Sequence, residues 1–379
     1  MKLLIISHTG HHERQGVPVG WGPTVREISA LASLFTSVRH IAMLHEGEAA
    51  ASEIAYGAEN VTFVPLKPSG GAGLRAKFGI LAAYPHYATV MLREIAAADV
   101  VHVRAPANIA LLAILLLSLL RRPARRWIKY AGNWKPDAPD ARSYRIQRWL
   151  LRRGWHRGQV TVNGQWQGDP PFIHSFINPC LTDEEFAESR ISAGVKRLEP
   201  PVRLLFVGRL ERAKGVERGL RAAALLAEAG VPFVFDLIGD GPERPDLEAL
   251  AASLALDDCV TFHGWLARTD LAPFYACAHL MLFPTNSEGW PKVISEAMAY
   301  GVVPLASAVS AIPQYLTEFQ TGMAIPAEDT DAFAAAVRAY AVDPARWQTE
   351  SKRAVEAAAR FTYSRFLQDV RALLDLPPT

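Results

Sequence analysis

The sequence predicts an α/β protein made of two doubly wound, Rossmann-like units. Three observations lead there. Short apolar strands alternate with helical segments, the pattern of parallel sheets with crossover helices. That pattern runs twice, and a charged stretch ending in two prolines, AGVKRLEPP at residues 193–201, separates the runs. A chain of 379 residues also exceeds what one ordinary core holds together.

The first run opens with KLLIIS, an apolar strand. A Gly/Pro-rich segment, GVPVGWGP, reads as a loop, TVREISALASLF as a helix and HIAML as a strand. DVVHVR, RWIKYAG and VTVNG are further strands. Between them IALLAILLLSLL, residues 109–120, is the most apolar segment. Its twelve residues fall short of the roughly 20 a membrane span needs, so it reads as a buried helix. The second run is cleaner. VRLLFVG is a strand ending at Gly208, and RLERAKG is a loop before the helix GVERGLRAAALLAEAG. FVFDLIG, CVTFHG, LMLFPT, VVPLAS and TGMAIP follow as strands, with helices at DLEALAASLAL, LAPFYACA and KVISEAMAYG. The long helical stretch from PARWQTE onward is expected to break near Phe361–Ser364. The domains are thus expected at 1–192 and 202–361.

Composition is that of a soluble globular protein, half hydrophobic and a fifth charged. Cys180, Cys259 and Cys277 lie far apart, with no metal or disulfide spacing, which fits a reducing cytoplasm. MKLLIISH is too short for a signal peptide. Charge is uneven. Residues 1–190 carry 22 Lys+Arg against 15 Asp+Glu, and the remainder 18 against 23. Within 121–157 there are twelve basic residues and two acids, Asp137 and Asp140, interleaved with Trp127, Trp134, Trp149 and Trp155. Basic and aromatic residues together point to an anionic membrane surface or anionic acceptor, against the simpler reading of a solvated basic face. No nucleic-acid recognition motif accompanies the charge.

Chemistry concentrates in the second run. Glu288 lies in the loop NSEGWP after a strand, where open α/β sheets bind ligands, and Gly289 lets backbone approach closely. A carboxylate there accepts charge-assisted bonds from sugar hydroxyls. Glu296 sits on the following helix among small apolar residues and needs a partner: ribose hydroxyls, or an internal salt bridge. Arg209 and Lys214 flank a strand-to-helix loop and suit a diphosphate. Gly239 and Gly241 form a turn after the next strand. His263, Gly264, Trp265 and Leu266 follow another, where Trp265 either flanks a nucleotide base or packs the core. In the first run Gly16, Gly20 and Gly22 do not make a GxGxxG fingerprint, yet a glycine loop can fold over a phosphate or an acceptor sugar. His102 and Arg104 end the strand DVVHVR, and Asn133 and Trp134 end the next. His102 is either a cleft residue or a core histidine.

GRLERAKG, LIGDGPE, FHGWL and EGWPKVISEAMAYGVVPLAS together resemble glycosyltransferase family 4, retaining enzymes of the GT-B fold. The likeness is strong over about residues 202–330, and in the first half extends only to organisation. It implies two Rossmann-like domains facing across a cleft, the donor on the second and the acceptor on the first. A C-terminal helix, about 362–379, would cross back to complete the first domain. It also implies that Arg209 and Lys214 hold the diphosphate, Glu288 orients the transferred sugar and Glu296 binds ribose. The wider donor site would then take in Gly208, Gly239, Gly241, His263, Gly264, Trp265, Leu266, Gly289, Trp290, Pro291, Lys292 and Val293. Gly20, Gly22, Arg104, Asn133 and Trp134 would face the acceptor. Where many members carry a second histidine, this chain has Arg104, so the acceptor-side catalytic role falls to His102 or Arg104.

The expectation is therefore a metal- and cofactor-independent hexosyltransferase, cytoplasmic and peripheral at the inner face of the membrane. It would use a nucleotide diphosphate-sugar and a lipid-linked or polysaccharide-precursor acceptor. An epimerase-like GT-B enzyme and a non-catalytic nucleotide-sugar-binding protein are the alternatives.

Overall fold

A computed structural model describes residues 1–69, 74–136 and 140–377. The chain divides into two compact units, Met1–Phe176 with Leu367–Thr379, and Ile177–Phe366.

The first unit contains strands β1 (Lys2–Arg14), β2 (Val17–Trp21), β3 (Ser37–Leu44), β4 (Glu53–Ala55), β5 (Val61–Leu66), β6 (Val100–Ala105), β7 (Arg125–Tyr130), β8 (Gln159–Val162) and β9 (Ile173–Ser175). Helices α1 (Gly22–Ala32), α2 (Leu74–Ala96), α3 (Asn108–Leu119) and α4 (Arg142–Arg153) connect them. Parallel pairing runs β5-β3-β1-β6-β7-β8-β9, with Leu4 opposite both Arg39 and Val101. The strand order reverses between β1 and β6, a topological switch point. Central strands are buried on both faces, which is why KLLIIS and VVHV read as continuous apolar runs and not as alternation.

GVPVGWGP corrects the sequence reading, because it is not a loop. β1 continues to Arg14, turns through Gln15 and Gly16, and pairs antiparallel with β2, Arg14 opposite Val17. Both turn residues have positive φ, 54° and 76°, as a two-residue type I′ hairpin requires. Gly20 lies inside β2 and Gly22 begins α1.

The apolar segment 109–120 is the buried helix expected, as α3. Its C-terminal carbonyls are held by Arg126, which is 2% exposed. Nε donates to Pro123 O, Nη2 to Leu120 O, and Nη1 to Leu117 O and His156 O. One guanidinium thus satisfies a helix end that would otherwise be orphaned. Among the described residues no helix is long and apolar enough to cross a membrane.

The second unit contains α5 (Asp183–Val195), β10 (Val202–Val207), α6 (Val216–Glu228), β11 (Phe233–Ile238), α7 (Arg244–Ser253), β12 (Val260–Gly264), α8 (Ala272–Cys277) and β13 (Leu280–Phe283). α9 (Lys292–Ala299), β14 (Val303–Ser307), α10 (Ile312–Phe319), β15 (Met323–Ile325), α11 (Thr330–Val342) and α12 (Pro344–Ala358) follow. All its strands are parallel, in the order β12-β11-β10-β13-β14-β15. Counted along the chain that is 3-2-1-4-5-6, the Rossmann order, and its switch point lies between β10 and β13.

Residues 177–192, placed by the sequence reading in the first half, belong to the second unit. Thr182 and Glu185 close a capping box at the start of α5, Cys180 N donates to Phe361 O, and Lys196 Nζ donates to Tyr275 O and Ala278 O. The bonds of Cys180 and Lys196 tie both ends of α5 to elements far along the sequence, which no local pattern announces. The break near Phe361 is present: α12 ends, Thr362 is extended, and α13 (Tyr363–Leu374) begins. From Leu367 onward the chain groups with the first unit, where Arg125 donates to Leu374 O and Asp375 O.

Candidate functional site

The loops leaving β10 and β13 flank the switch point of the second sheet and are fastened to each other. Asn286 N donates to Ala213 O at 2.8 Å, and Thr285 Oγ1 to the same oxygen at 3.1 Å. The fold joins two predicted site residues here, since Lys214 Nζ donates to Glu288 Oε1. Gly215, at φ 68°, makes this approach possible: a Cβ there would lie 1.9 Å from Pro284 O. Arg218, which the sequence reading passed over, donates to Pro284 O, Asn286 Oδ1 and Glu328 Oε1. Its position one turn into a helix gave no local signal. Arg209 stands apart from the pair, 67% exposed, with Glu211 at 3.5 Å.

The glycines of the neighbouring turns have a backbone explanation. A Cβ on Gly239 would meet Gly208 O at 1.8 Å, and one on Gly241 would meet Leu210 O at 2.2 Å. Gly208 N donates to Ile238 O, Leu210 N to Asp240 O and Gly239 N to Gly264 O, so the turns after β10, β11 and β12 form one layer at the sheet's C-terminal edge. His263 is hydrogen-bonded to Asp236 at 2.6 Å and packs edge-on to Phe274. Trp265 is exposed and not part of the core, whereas Leu266 packs against it.

Trp290 corrects the expected donor set. Its ring is buried against Tyr315 and Phe361, and Nε1 donates to Ser295 Oγ, so the side chain fixes the turn and does not face a ligand. Pro291 caps α9, Lys292 begins it, Val293 is half-buried, and Gly289 precedes them in the loop. Glu296 is 7% exposed and already bonded: Arg268 donates to Oε1 and the Tyr275 hydroxyl to Oε2 at 3.1 Å. The internal salt bridge is therefore formed, through an arginine the sequence reading did not name.

In the first unit, His102 is a core histidine. It is fully buried and stacked on Trp127 at 3.8 Å, with Nδ1 3.3 Å from Trp127 O. Burial, then the charges of Arg104 and Lys129, pushes its pKa well below 6.5, so the ring is neutral. Arg104 donates to Glu27 Oε1 at 2.6 Å, and Lys129 Nζ donates to the same oxygen. Arg104 is only partly exposed, and its bond goes to a buried carboxylate. Trp134 is 1% exposed, packs edge-on to Tyr130 and donates to Asp169, so it supports the fold and does not face an acceptor. Asn133 Oδ1 accepts from Lys135 N. Gly20 is explained by His11, whose Nε2 would lie 2.4 Å from a Cβ, and Gly22 by Ser52 O at 3.0 Å. Neither belongs to a glycine loop.

Sequence reading also missed a buried relay beside β1. The carbonyl of Thr9 can only accept, so His11 Nδ1 carries the proton and donates to it at 3.0 Å. Nε2 of a neutral His11 then accepts from Tyr56 Oη at 2.7 Å, Tyr56 accepts from His40 Nδ1 at 2.6 Å, and His40 Nε2 accepts from Ser7 Oγ at 2.7 Å. One polarity satisfies every member. Desolvation lowers the pKa of both histidines, in keeping with their neutral forms.

Residues 189–361 match the family described as Glycosyl transferases group 1. D-inositol 3-phosphate glycosyltransferase of Kribbella flavida is 32% identical over 219 residues, 54% of this chain and 51% of that protein. The chain spans about half the length of the curated relatives it matches. Sucrose-phosphate synthase from Thermosynechococcus elongatus superposes with a TM-score of 0.69 at 20% identity, covering 98% of each chain. Anabaena Alr3699/HepE, solved in complex with UDP and glucose, gives 0.68 at 18% identity, covering 99% of each. Residues 189–361 thus match the group 1 glycosyl transferases, and the chain as a whole has the GT-B fold of these solved neighbours.

Proposed function

We propose that this protein is a retaining, metal-independent glycosyltransferase of family 4, moving a hexose from a nucleotide diphosphate-sugar to a hydroxyl acceptor. The observation that carries the reading is the Lys214–Glu288 pair at the switch point of the second sheet. An ammonium and a carboxylate there hold each other until a ligand supplies both a diphosphate and sugar hydroxyls. Lys214 then turns to the phosphates, joined by the exposed Arg209, and Glu288 accepts from the sugar. As the C1–O bond to the diphosphate breaks, negative charge grows on the departing oxygen, and the cations stabilise it. The acceptor oxygen bonds to C1 on the same face, and its proton passes to the departing phosphate. UDP and glucose in the Anabaena neighbour make uridine the first base to try.

The acceptor is lipid-linked or a polysaccharide precursor, reached at the inner face of a membrane. α4 supports this. Trp149 and Trp155 are 48% and 51% exposed and meet edge-on at 5.4 Å. Ile146 is also exposed, and Arg145, Arg148, Trp149, Arg152 and Arg153 line a surface pocket of about 380 Å³. Of the two acids in 121–157, Asp140 is paired with Arg148, and Asp137 lies outside the described residues. Trp127 and Trp134 are core residues and take no part.

The test is thermal shift with UDP-, GDP-, ADP- and TDP-sugars, with and without Mg²⁺, followed by a transfer assay. Saturation at 100 times the dissociation constant adds about 2.7 kcal/mol. A rise selective for one nucleotide, unchanged by Mg²⁺ and lost in Lys214→Ala, supports the reading. Sugar interconversion without acceptor would favour an epimerase-like enzyme. Binding without turnover would favour a nucleotide-sugar-binding protein.

A further inference from the structure

Glu296 is the most constrained carboxylate of the candidate site. It projects from α9 among Ala297, Met298 and Ala299. A carboxylate offers about four acceptor positions. Two are occupied: Arg268 Nη1 takes one on Oε1, and the Tyr275 hydroxyl takes one on Oε2. Burial, then the charge of Glu296, pushes the Tyr275 pKa well above its usual range, so this hydroxyl keeps its proton and donates. Two acceptor positions remain, as many as a vicinal diol has donors.

Arg268 is itself held from the far side. It sits in a short 3-10 turn, Arg268–Asp270, after β12. Nη2 donates to Cys180 O at 2.6 Å and to Glu185 Oε2 at 3.2 Å, and Nε to Glu185 Oε1 at 3.4 Å. Glu185 is fixed in turn by the capping box of α5, its Oε2 accepting from Thr182 N at 2.8 Å. One planar guanidinium therefore bridges α5 and α9 and neutralises two carboxylates. Removing it takes away the cation that Glu296 and Glu185 share, and a buried carboxylate that loses its bonded cation turns away from its place. A lysine keeps the charge without the fork that spans both partners.

We propose that Arg268 is a positioning residue for the donor nucleoside, holding the Glu296 carboxylate in one orientation for the ribose diol. This rests on the proposed reading of Glu296 as the ribose ligand. The test compares binding of UDP, GDP and ADP with that of their 2′,3′-dideoxy counterparts by titration calorimetry. It uses the full chain as wild type, Arg268→Ala, Arg268→Lys, Glu185→Gln and Glu296→Ala. Wild type should prefer the ribonucleotide about tenfold or more, the scale of a hydrogen bond to a charged group. Arg268→Ala should lose most of that preference, Arg268→Lys should fall between, and Glu185→Gln should lose less. A general loss of packing would weaken both nucleotides alike and leave the ratio in place. An unchanged ratio in Arg268→Ala would show that the arginine does not act on the ribose contact, and tighter ribonucleotide binding would show that it competes with ribose; either overturns the proposal. If Arg268→Ala does not fold, a full ratio in both Arg268→Lys and Glu185→Gln overturns it. An unchanged ratio in Glu296→Ala, or no binding of any of the three nucleotides, overturns the underlying reading instead.

Discussion

Lys214 and Glu288 are 74 positions apart in sequence and bonded to each other in the folded chain. The order of the strands brings them together: β10 and β13 are neighbours although β11 and β12 intervene in the chain, so the loops that follow them share one edge of the sheet. The pair is mutually satisfied, so each residue should matter to the other. We expect Lys214→Ala and Glu288→Gln each to lower kcat/KM by about 10²–10³, the usual scale for losing one electrostatic contact in the transition state. The double variant should lose much less than the product of the two. A double-mutant cycle in steady-state kinetics measures this, and strictly multiplicative losses would show two independent residues.

Gly215 should tolerate no side chain. Its φ of 68° suits glycine, and a Cβ would overlap Pro284 O at 1.9 Å, an atom of backbone that cannot swing aside. We expect Gly215→Ala to destabilise the fold by about 2 kcal/mol or more and to abolish nucleotide binding, because the displaced loop carries Glu288. Urea unfolding with a binding titration checks both. A wild-type midpoint and affinity would show that the loop yields easily.

These two positions show what was legible from residues alone. The doubly wound pattern could be read because central parallel strands are apolar throughout and their turns carry glycine. Glu288 and Lys214 stand out in the sequence because short polar loops between such strands have few structural duties, and the fold pairs them. Arg268 was not, since its role depends on α5 and α9 meeting through long-range packing. GVPVGWGP was misread because glycine and proline mark loops and hairpins alike, and the type I′ turn lies in Gln15-Gly16 at its edge. His102 and Trp134 look like cleft residues at strand ends, yet the sheet's own layers cover them.

The Ser7–His40–Tyr56–His11 relay should make stability fall in mild acid. His40 is pushed well below 6.5 by burial and by the neighbouring His11, Arg104 and His102. His11 is lowered chiefly by burial. A histidine with a folded pKa below its unfolded value binds fewer protons when folded. Its contribution is therefore fully present above about pH 6.5 and is lost as pH falls from there toward the folded pKa, by up to about 1.4 kcal/mol per pH unit for each group. Urea midpoints between pH 5 and 8 should decline below 6.5. Tyr56→Phe, which breaks the relay at its centre, should cost about 1–3 kcal/mol at pH 8. A flat profile from pH 5 to 7 would mean that the two histidines carry protons in the fold.

The basic face of α4 should bind bilayers through charge and indole together. Arg145, Arg152 and Arg153 are exposed beside Trp149, and Arg153 lies over the Trp149 ring at 5.3 Å. A basic residue close to an anionic leaflet contributes about 1 kcal/mol, an attraction that falls off over a Debye length, whereas an indole at the headgroup level gains from apolar burial. The two contributions therefore separate by salt. Sedimentation with vesicles of phosphatidylglycerol should capture the protein at low ionic strength, and vesicles of phosphatidylcholine should not. Arg152→Glu with Arg153→Glu should remove the salt-sensitive part. Trp149→Ala with Trp155→Ala should weaken binding at every salt concentration. Neither pair replaces a residue of the loops that carry Lys214 and Glu288, so neither should alter hydrolysis of a soluble donor. Capture by neither lipid would reduce this face to an ordinary solvated one and leave a soluble glycan as the acceptor to be sought, and equal capture by both would leave the arginines without a part in the binding.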